Sequence, residues 1–309
     1  MPCESPDIII VTDQEAGQRL DCILASRFAG MYSRTYFQKL LEDGKILLNG
    51  CLAKKRTQPQ SGDEIEIQFV LSPEITLLPE EIPLDIIYED DDILAVNKPS
   101  GLVIHPAVGN WSGTFVNALL FYCKQLIPIE GDSQLRPGIV HRLDKDTSGV
   151  LIAAKNLLSQ QRLIEMFAAR RIHKEYLAIV VGNPGDVECN FPIGRDPIHR
   201  QRMAVNPKGK PAVTICRTLK TNGQFSLIHL TIATGRTHQI RVHLKHKNAP
   251  VLGDSLYGNI DINRRHKVER QLLHASTLSF AHPLTGKRLE LTAPVPADMQ
   301  TWISKLTFL

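Results

Sequence analysis

The chain has no C-x-x-C pair: its six cysteines, Cys3, Cys22, Cys51, Cys123, Cys189 and Cys216, are scattered through 309 residues. That scatter supports neither a zinc site nor a disulfide framework, and a reducing cytoplasm is the expected compartment. Long apolar runs are missing too. The N-terminal run Ile8–Val11 is too short for a signal core or a membrane span, and acidic residues stand where a signal peptide would be basic. Neither export nor a membrane partner is expected. Internal repeats and low-complexity tracts are also absent, which argues against solenoid and disordered architectures.

What is present is the composition of a folded, water-soluble protein, with 43% hydrophobic and 22% charged residues and enough length for two domains. A net charge of +4 permits a nucleic-acid partner without requiring one. Its distribution is more telling. Between Arg19 and Arg56, eight Lys/Arg stand against three Asp/Glu, and a concentrated basic face holds phosphates even on a near-neutral chain.

Residues 1–15 read as an N-terminal tail and 16–75 as a compact unit. Leu20, Ile23, Leu24 and Phe28 fall at helical spacing. A second helix starts at Ser33 or Thr35, the latter fitting a capping box with Gln38, and buries Tyr36, Phe37, Leu40 and Leu41. "KILLNG" reads as a short strand ended by an Asn-Gly turn, and "DEIEIQF" alternates Ile65, Ile67 and Phe69 with polar residues as a half-buried strand does. The polar faces left over carry Arg34, Lys39, Lys45, Lys54, Lys55 and Arg56.

Residues 76–83 close a proline-containing stretch and read as a linker. Beyond it, "DIIYEDDDILAVNKPSG", "GVLIAAK", "EYLAIVVG", "SLIHLTIAT", "TLSFAHP" and "RLELTAP" read as strands, with helices expected at Ser159–Arg171 and His238–His246. Strands and helices do not alternate regularly enough for a doubly wound sheet. The expected class is α+β with a mixed, largely antiparallel sheet over residues 84–309.

Two segments carry reactive side chains. "HRLDKDTSG" sets Asp144 and Asp146 beside His141, Arg142 and Lys145, just before an apolar strand. An aspartate with an intrinsic pKa of ~3.9 is ionised at neutral pH and ready to act as a nucleophile, whereas a general base would need that value raised. The loop alone does not choose between the two aspartates, and side-chain to backbone hydrogen bonds would equally explain "DKDTSG" as a turn. The second segment, "TIATGRTHQIRVHLKH", holds Arg236, His238, Arg241, His243 and His246. Arg241 lies between Ile240 and Val242, and an arginine in an apolar pattern needs a carboxylate partner because an unpaired buried charge is costly. A reactive pair or a salt bridge tying core elements would each meet that need. The histidines do not reproduce H-E-x-x-H, and no metal is expected. Residues 194–214 add Arg195, Arg200, Arg202, Lys208 and Lys210 against Asp196, and read as a projecting loop or hairpin suited to phosphates.

The stretch "RLDCILASRF…SRTYFQKLLEDGKILLNG…SGDEIEI" resembles the S4 RNA-binding domain, which implies a structured RNA as ligand. "HRLDKDTSGVLIAAK", "KEYLAIVVG", "GRTHQIRVH", "LHASTLSFAHPLTG" and "LTAPVP", in that order, resemble the motifs of the RluA-type pseudouridine synthases over residues 84 to 296. With an S4 unit in front, they are most similar to the members that modify large-subunit ribosomal RNA.

The resemblance implies an RNA isomerase that needs no cofactor or metal and acts as a monomer on RNA, not DNA, with large-subunit ribosomal RNA as the expected partner. It implies Asp144 as the catalytic aspartate, Tyr176 as the ring that packs on the flipped base and assists removal of its proton, and Arg241 as the partner of Asp144. Arg142 matches the arginine that enters the RNA stack as the target uridine leaves. Arg34, Lys39, Lys54, Lys55 and Arg56 in the first unit, with Arg200, Arg202 and Lys208 in the second, are the expected RNA contacts. The alternatives are a synthase acting on another RNA, such as tRNA, and a non-catalytic assembly factor.

Overall fold

A computed structural model of the chain describes residues 7–28, 32, 34–69, 78–105, 112–123, 126, 137–197, 199 and 202–306. The described residues form two compact units, one over 7–69 and one over 78–306.

In the first unit, β1 (Asp7–Ile10) precedes α1 (Leu20–Arg27), α2 (Arg34–Glu42), β2 (Ile46–Leu48), β3 (Cys51–Leu52) and β4 (Glu64–Ile67). The strands pair antiparallel in the order β1-β4-β2-β3. Leu20 and Leu24 of α1 and Phe37, Leu40 and Leu41 of α2 pack with Ile46, Ile65 and Ile67 of the sheet. Asn49 and Gly50 both take positive φ, 50° and 75°, the turn that an Asn-Gly pair favours between two strands. Residues 7–10 form a strand rather than a tail, because Ile9 packs on this core while the backbone pairs with β4. Nor does Thr35 cap α2: the helix already includes Arg34, and Gln38 instead donates to the buried carboxylate of Asp21 at 2.6 Å. Ser33 lies outside the described residues.

The second unit opens with β5 (Ile86–Glu89), β6 (Ile93–Lys98), α3 (Phe115–Tyr122), β7 (Ser148–Ala154), α4 (Leu157–Ala168) and β8 (His173–Val181). It continues through β9 (Val187–Asn190), β10 (Ile193–Arg195), β11 (Met203–Val205), β12 (Val213–Thr221), β13 (Phe225–Ile232) and α5 (Gln239–His246). It closes with α6 (Ile260–His266), β14 (Leu273–Ala281), β15 (Arg288–Thr292) and α7 (Ala297–Lys305). The main sheet runs β5-β6-β7-β14-β8-β13-β12-β9, with β15 also on β14. Only β7 with β14 is parallel, so the sheet is mixed and largely antiparallel, as expected. β10 and β11 form a separate hairpin within the basic stretch read as a projection.

β7 is buried along its whole length and β6 nearly so, which is why both read as unbroken apolar runs. Against them α4 buries Leu163 and Met166, each worth about 1.5–3 kcal/mol. α5 seats Ile240 and Leu244 among Tyr176, Ile228 and Leu230 of β8 and β13. The expected helix at Ser159–Arg171 lies at Leu157–Ala168, where the Asn156 side chain accepts the Ser159 N–H at 2.9 Å and caps it. α3, α6 and α7 and strands β9 and β12 were not expected, whereas β10 and β11 make the hairpin that was one of the two readings of residues 194–214. The helices are two turns or so long, too short to display a full apolar period, and β9 to β11 have three or four residues each.

Candidate active site

Asp144 stands in the loop that enters β7, and that loop is held from several sides. Gly149 has φ 115°, and a Cβ there would collide with the Ala275 carbonyl, so glycine is what lets β7 run beside β14 just past the loop. Lys98, fully buried at the end of β6, donates to the carbonyls of Pro99 (2.8 Å), Leu102 (3.0 Å) and Lys145 (2.8 Å). The Gly101 N–H reaches the same Lys145 carbonyl at 2.9 Å, and Ser100 Oγ donates to the Asp146 carbonyl at 3.1 Å. Burial lowers the Lys98 pKa to about 8 against the pull of Asp146 and Asp144. The backbone immediately after Asp144 is therefore pinned by a buried cation.

The facing group comes from α5. Its start is fixed by Gln239, whose Oε1 accepts from Thr234 Oγ1 (2.7 Å) and the Arg236 N–H (3.0 Å) while Nε2 donates to the Val213 carbonyl (2.9 Å). One residue earlier, His238 adopts the left-handed conformation, φ 57°. Arg241, 4% exposed, donates from Nη1 to Asp144 Oδ2 at 2.8 Å. Its Nε and Nη2 grip Asp254 at 2.7 and 2.9 Å. Asp254 is buried, and its Oδ1 also accepts the N–H groups of Leu256 and Tyr257 at 2.9 Å each. Burial disfavours the Arg241 charge, but Asp254 and Asp144 outweigh it and raise its pKa.

Asp144 Oδ1 faces His238 Nε2 at 4.0 Å. Tyr257 OH accepts the Met203 N–H at 2.8 Å and lies 2.9 Å from His238 Nδ1, within hydrogen-bond reach. Burial lowers the His238 pKa, against the opposing pull of Asp144. Tyr176 is buried, and its pKa is raised by burial and then by the Asp144 charge. Asp144, Tyr176, Arg142 and Arg241 all line one cavity of about 470 Å³. A second cavity of about 420 Å³, which also includes Lys145 and Asp146, shares Arg142, Asp144, His238 and Arg241. Asp146 is not the aspartate on Arg241.

The other residues singled out in the sequence fall as follows. His243 is a core group: Nε2 donates to the Phe191 carbonyl at 3.0 Å and Nδ1 accepts from Thr214 Oγ1 at 2.9 Å. His246 is exposed and packs edge-on against Phe191, so the three histidines of this segment do not share a site. Among the described residues, Asp90, Asp92 and His282 do converge. There, however, His282 Nδ1 accepts the N–H groups of Leu284 and Thr285, which puts its proton on Nε2, 3.1 Å from Asp90 Oδ2. A donor set arranged that way does not fit a metal ion.

In the first unit Arg34 is tied to Asp21 at 3.0 Å and Lys55 to Glu42, while Lys39, Lys54 and Arg56 are exposed. Arg202 and Lys208 flank β11, and Arg200 lies outside the described residues. The sequence reading missed Asp254 and Lys98. The signals were an aspartate after Gly253, whose φ is 80°, and a lysine ending the apolar run "ILAVNK".

A partly exposed carboxylate held by a buried arginine, beside a buried aromatic ring in a cavity lined by further cations, is the arrangement of an enzyme's active site. The family model described as "RNA pseudouridylate synthase" matches residues 92–246. The chain is 40% identical to "Ribosomal large subunit pseudouridine synthase D" of Xanthomonas campestris pv. campestris, over 96% of this chain and 91% of that one. It is 42% identical to the protein of the same name from Vibrio vulnificus, over 94% and 91%. It is 41% identical to "Uncharacterized RNA pseudouridine synthase YlyB" of Bacillus subtilis, over 96% and 97%. Among solved structures, "Human RNA Pseudouridylate Synthase Domain Containing 4" superposes with a TM-score of 0.56 at 25% identity, over 72% of this chain and 93% of that one. The chain belongs to the RNA pseudouridylate synthase family.

Proposed function

We propose that this enzyme converts uridine to pseudouridine in large-subunit ribosomal RNA, with Asp144 as the essential carboxylate. The observation that carries the reading is the 2.8 Å contact from Arg241 to Asp144 in the cavity that Tyr176 also lines. The names of the relatives from Xanthomonas campestris and Vibrio vulnificus support the RNA.

The reaction breaks the bond between N1 of uracil and C1′ of ribose, turns the base, and joins C5 to C1′. The C5 proton leaves and N1 gains one, so atoms and electrons balance without an oxidant or a cofactor. Positive charge builds on C1′ as N1 departs, and an ionised aspartate stabilises or captures it as in retaining glycosidases. With Oδ2 held by Arg241, Oδ1 is the oxygen left for the sugar. The base must leave its stack to reach Asp144, at a cost of a few kcal/mol, and Arg142, exposed beside Asp144, fills the gap. Tyr176 packs on the flipped ring. Water has to be kept from the cleaved intermediate, and Leu143, Ile232, Ile240 and Leu273 supply apolar wall to the cavity.

The first unit serves as an S4-type RNA-binding module. Exposed Lys39, Lys54 and Arg56, with Arg34 and Lys55, contact phosphates there, and Arg200, Arg202 and Lys208 do so in the second unit. The enzyme works in the cytoplasm as a monomer.

The test is to map pseudouridine in total RNA from cells with and without the gene, and to assay the pure protein for free uracil. Loss of one or a few pseudouridines in large-subunit RNA, with no free uracil, is expected. Sites lost only from tRNA would overturn the substrate, released uracil would make the enzyme a hydrolase, and no change would leave an assembly factor.

A further inference from the structure

We propose that Arg170, Lys174 and Arg236 form a cradle for one phosphodiester flanking the target nucleotide. The inference rests on the RNA reading above and adds to it a site for a particular phosphate. All three residues line the 470 Å³ cavity with Asp144 and Tyr176. On β8, Lys174 and Tyr176 are two residues apart and so share a face, while Glu175 points the other way and is engaged by His173 and His229 at 3.0 Å each. The neighbouring carboxylate therefore does not neutralise the lysine. Lys174 Nζ lies 3.8 Å from where a Cβ on Gly235 would be, beside Arg236. Among the described residues none of the three cations has an acidic partner. Among the described residues the Arg236 side chain donates to the Pro211 carbonyl, at 3.1 Å. Burial lowers the Lys174 pKa, and Arg170 and Arg236 lower it further. Three like charges gathered without an anion, one of them half-buried, are stabilised when an anion arrives.

Arg170 adds an independent observation. It ends α4 with φ 58°, the left-handed position that glycine usually fills. The Arg170 N–H bonds the Phe167 carbonyl at 3.2 Å and the Arg171 N–H bonds the Met166 carbonyl at 2.9 Å, the paired closure of a Schellman turn. An arginine there carries a backbone cost that glycine does not. That cost is accepted for a side chain reaching the cavity. A strand whose nucleotide has swung toward Asp144 brings its flanking phosphates to the cavity mouth, and a guanidinium matches two phosphate oxygens at once.

The test uses an RNA stem-loop that the wild-type enzyme converts, remade with a single neutral methylphosphonate on either side of the target uridine. In wild type, one of the two replacements lowers kcat/KM by about tenfold. Lys174→Met lowers kcat/KM on the unmodified RNA by a similar factor, mainly through KM, and shows no further loss on that methylphosphonate. Arg170→Gly does the same, while its unfolding midpoint stays level or rises because the left-handed strain is relieved, so misfolding is separated from lost binding. Full sensitivity to the methylphosphonate in both variants overturns the cradle. A loss confined to kcat with an altered pH profile overturns it as well, since Lys174 then moves a proton. A wild-type protein that makes no pseudouridine refutes the reaction itself, which is a different outcome from variants that match an active wild type.

Discussion

Arg241 divides its guanidinium between two carboxylates: Nε and Nη2 are held by Asp254 at 2.7 and 2.9 Å, so only Nη1, at 2.8 Å, reaches Asp144. Asp254 largely neutralises the arginine, and Arg241 acts on Asp144 as a directional donor more than as a charge sink.

The first expected outcome concerns that division. Asp254→Ala leaves Arg241 buried with a single partner, and removing one member of a buried pair costs about 3–5 kcal/mol. Thermal unfolding should show the loss, and the folded fraction should turn over slowly because Nη1 is no longer aimed. Arg241→Lys should fail too, since an ammonium cannot span both carboxylates. Wild-type stability and turnover in Asp254→Ala would refute this account.

Asp144→Asn keeps the shape of the side chain and an acceptor for Nη1 but removes the charge. Pseudouridine formation is expected to fall by about a thousandfold or more, with the RNA Kd within about threefold of wild type. Single-turnover assays and filter binding on the same preparation measure both. Comparable turnover in mutant and parent would remove Asp144 from the mechanism.

Tyr176 bears on which part of a tyrosine is used. Burial and the Asp144 charge hold its phenol protonated through the neutral range, so a phenolate base is out of reach there. Tyr176→Phe is expected to keep activity within about tenfold, whereas Tyr176→Ala, which deletes the ring, loses far more. Equal losses in the two variants would show that the hydroxyl, not the ring, matters.

Lys98 makes a pH prediction with a definite sign. Its folded pKa, lowered to about 8 by burial, lies below the ~10.4 of a free lysine. Between those values the unfolded chain binds more protons than the folded one, so this residue's contribution to stability rises with pH. Below pH 8 the cost of the buried charge is present in full. Urea unfolding of wild type and Lys98→Met at pH 7 to 10 should show the wild type gaining on the variant across the upper part of that range. A constant difference would contradict the buried, depressed lysine.

Much of this protein is legible along the chain, because the signals involved are local. The buried Ile65 and Ile67 alternate with polar residues in β4, the Asn49-Gly50 turn sits between β2 and β3, and apolar β7 follows the Asp144 loop directly. Family motifs pointed to Asp144, Arg142, Tyr176 and Arg241. The short helices α3, α6 and α7 escaped because so few turns carry little periodicity. Asp254 and Lys98 escaped because their importance lies in what they touch.

The amino-acid order alone determined the two-unit plan, the mixed sheet and the kinds of side chain offered to the reaction, since hydrophobic period, turn chemistry and motif order are properties of neighbours. Only the tertiary structure decided that Asp254 shares Arg241 with Asp144, and that Arg170, Lys174 and Arg236 line one cavity. Those pairings follow from strand order and from burial, which make a charge seek a partner wherever the sheet happens to deliver one.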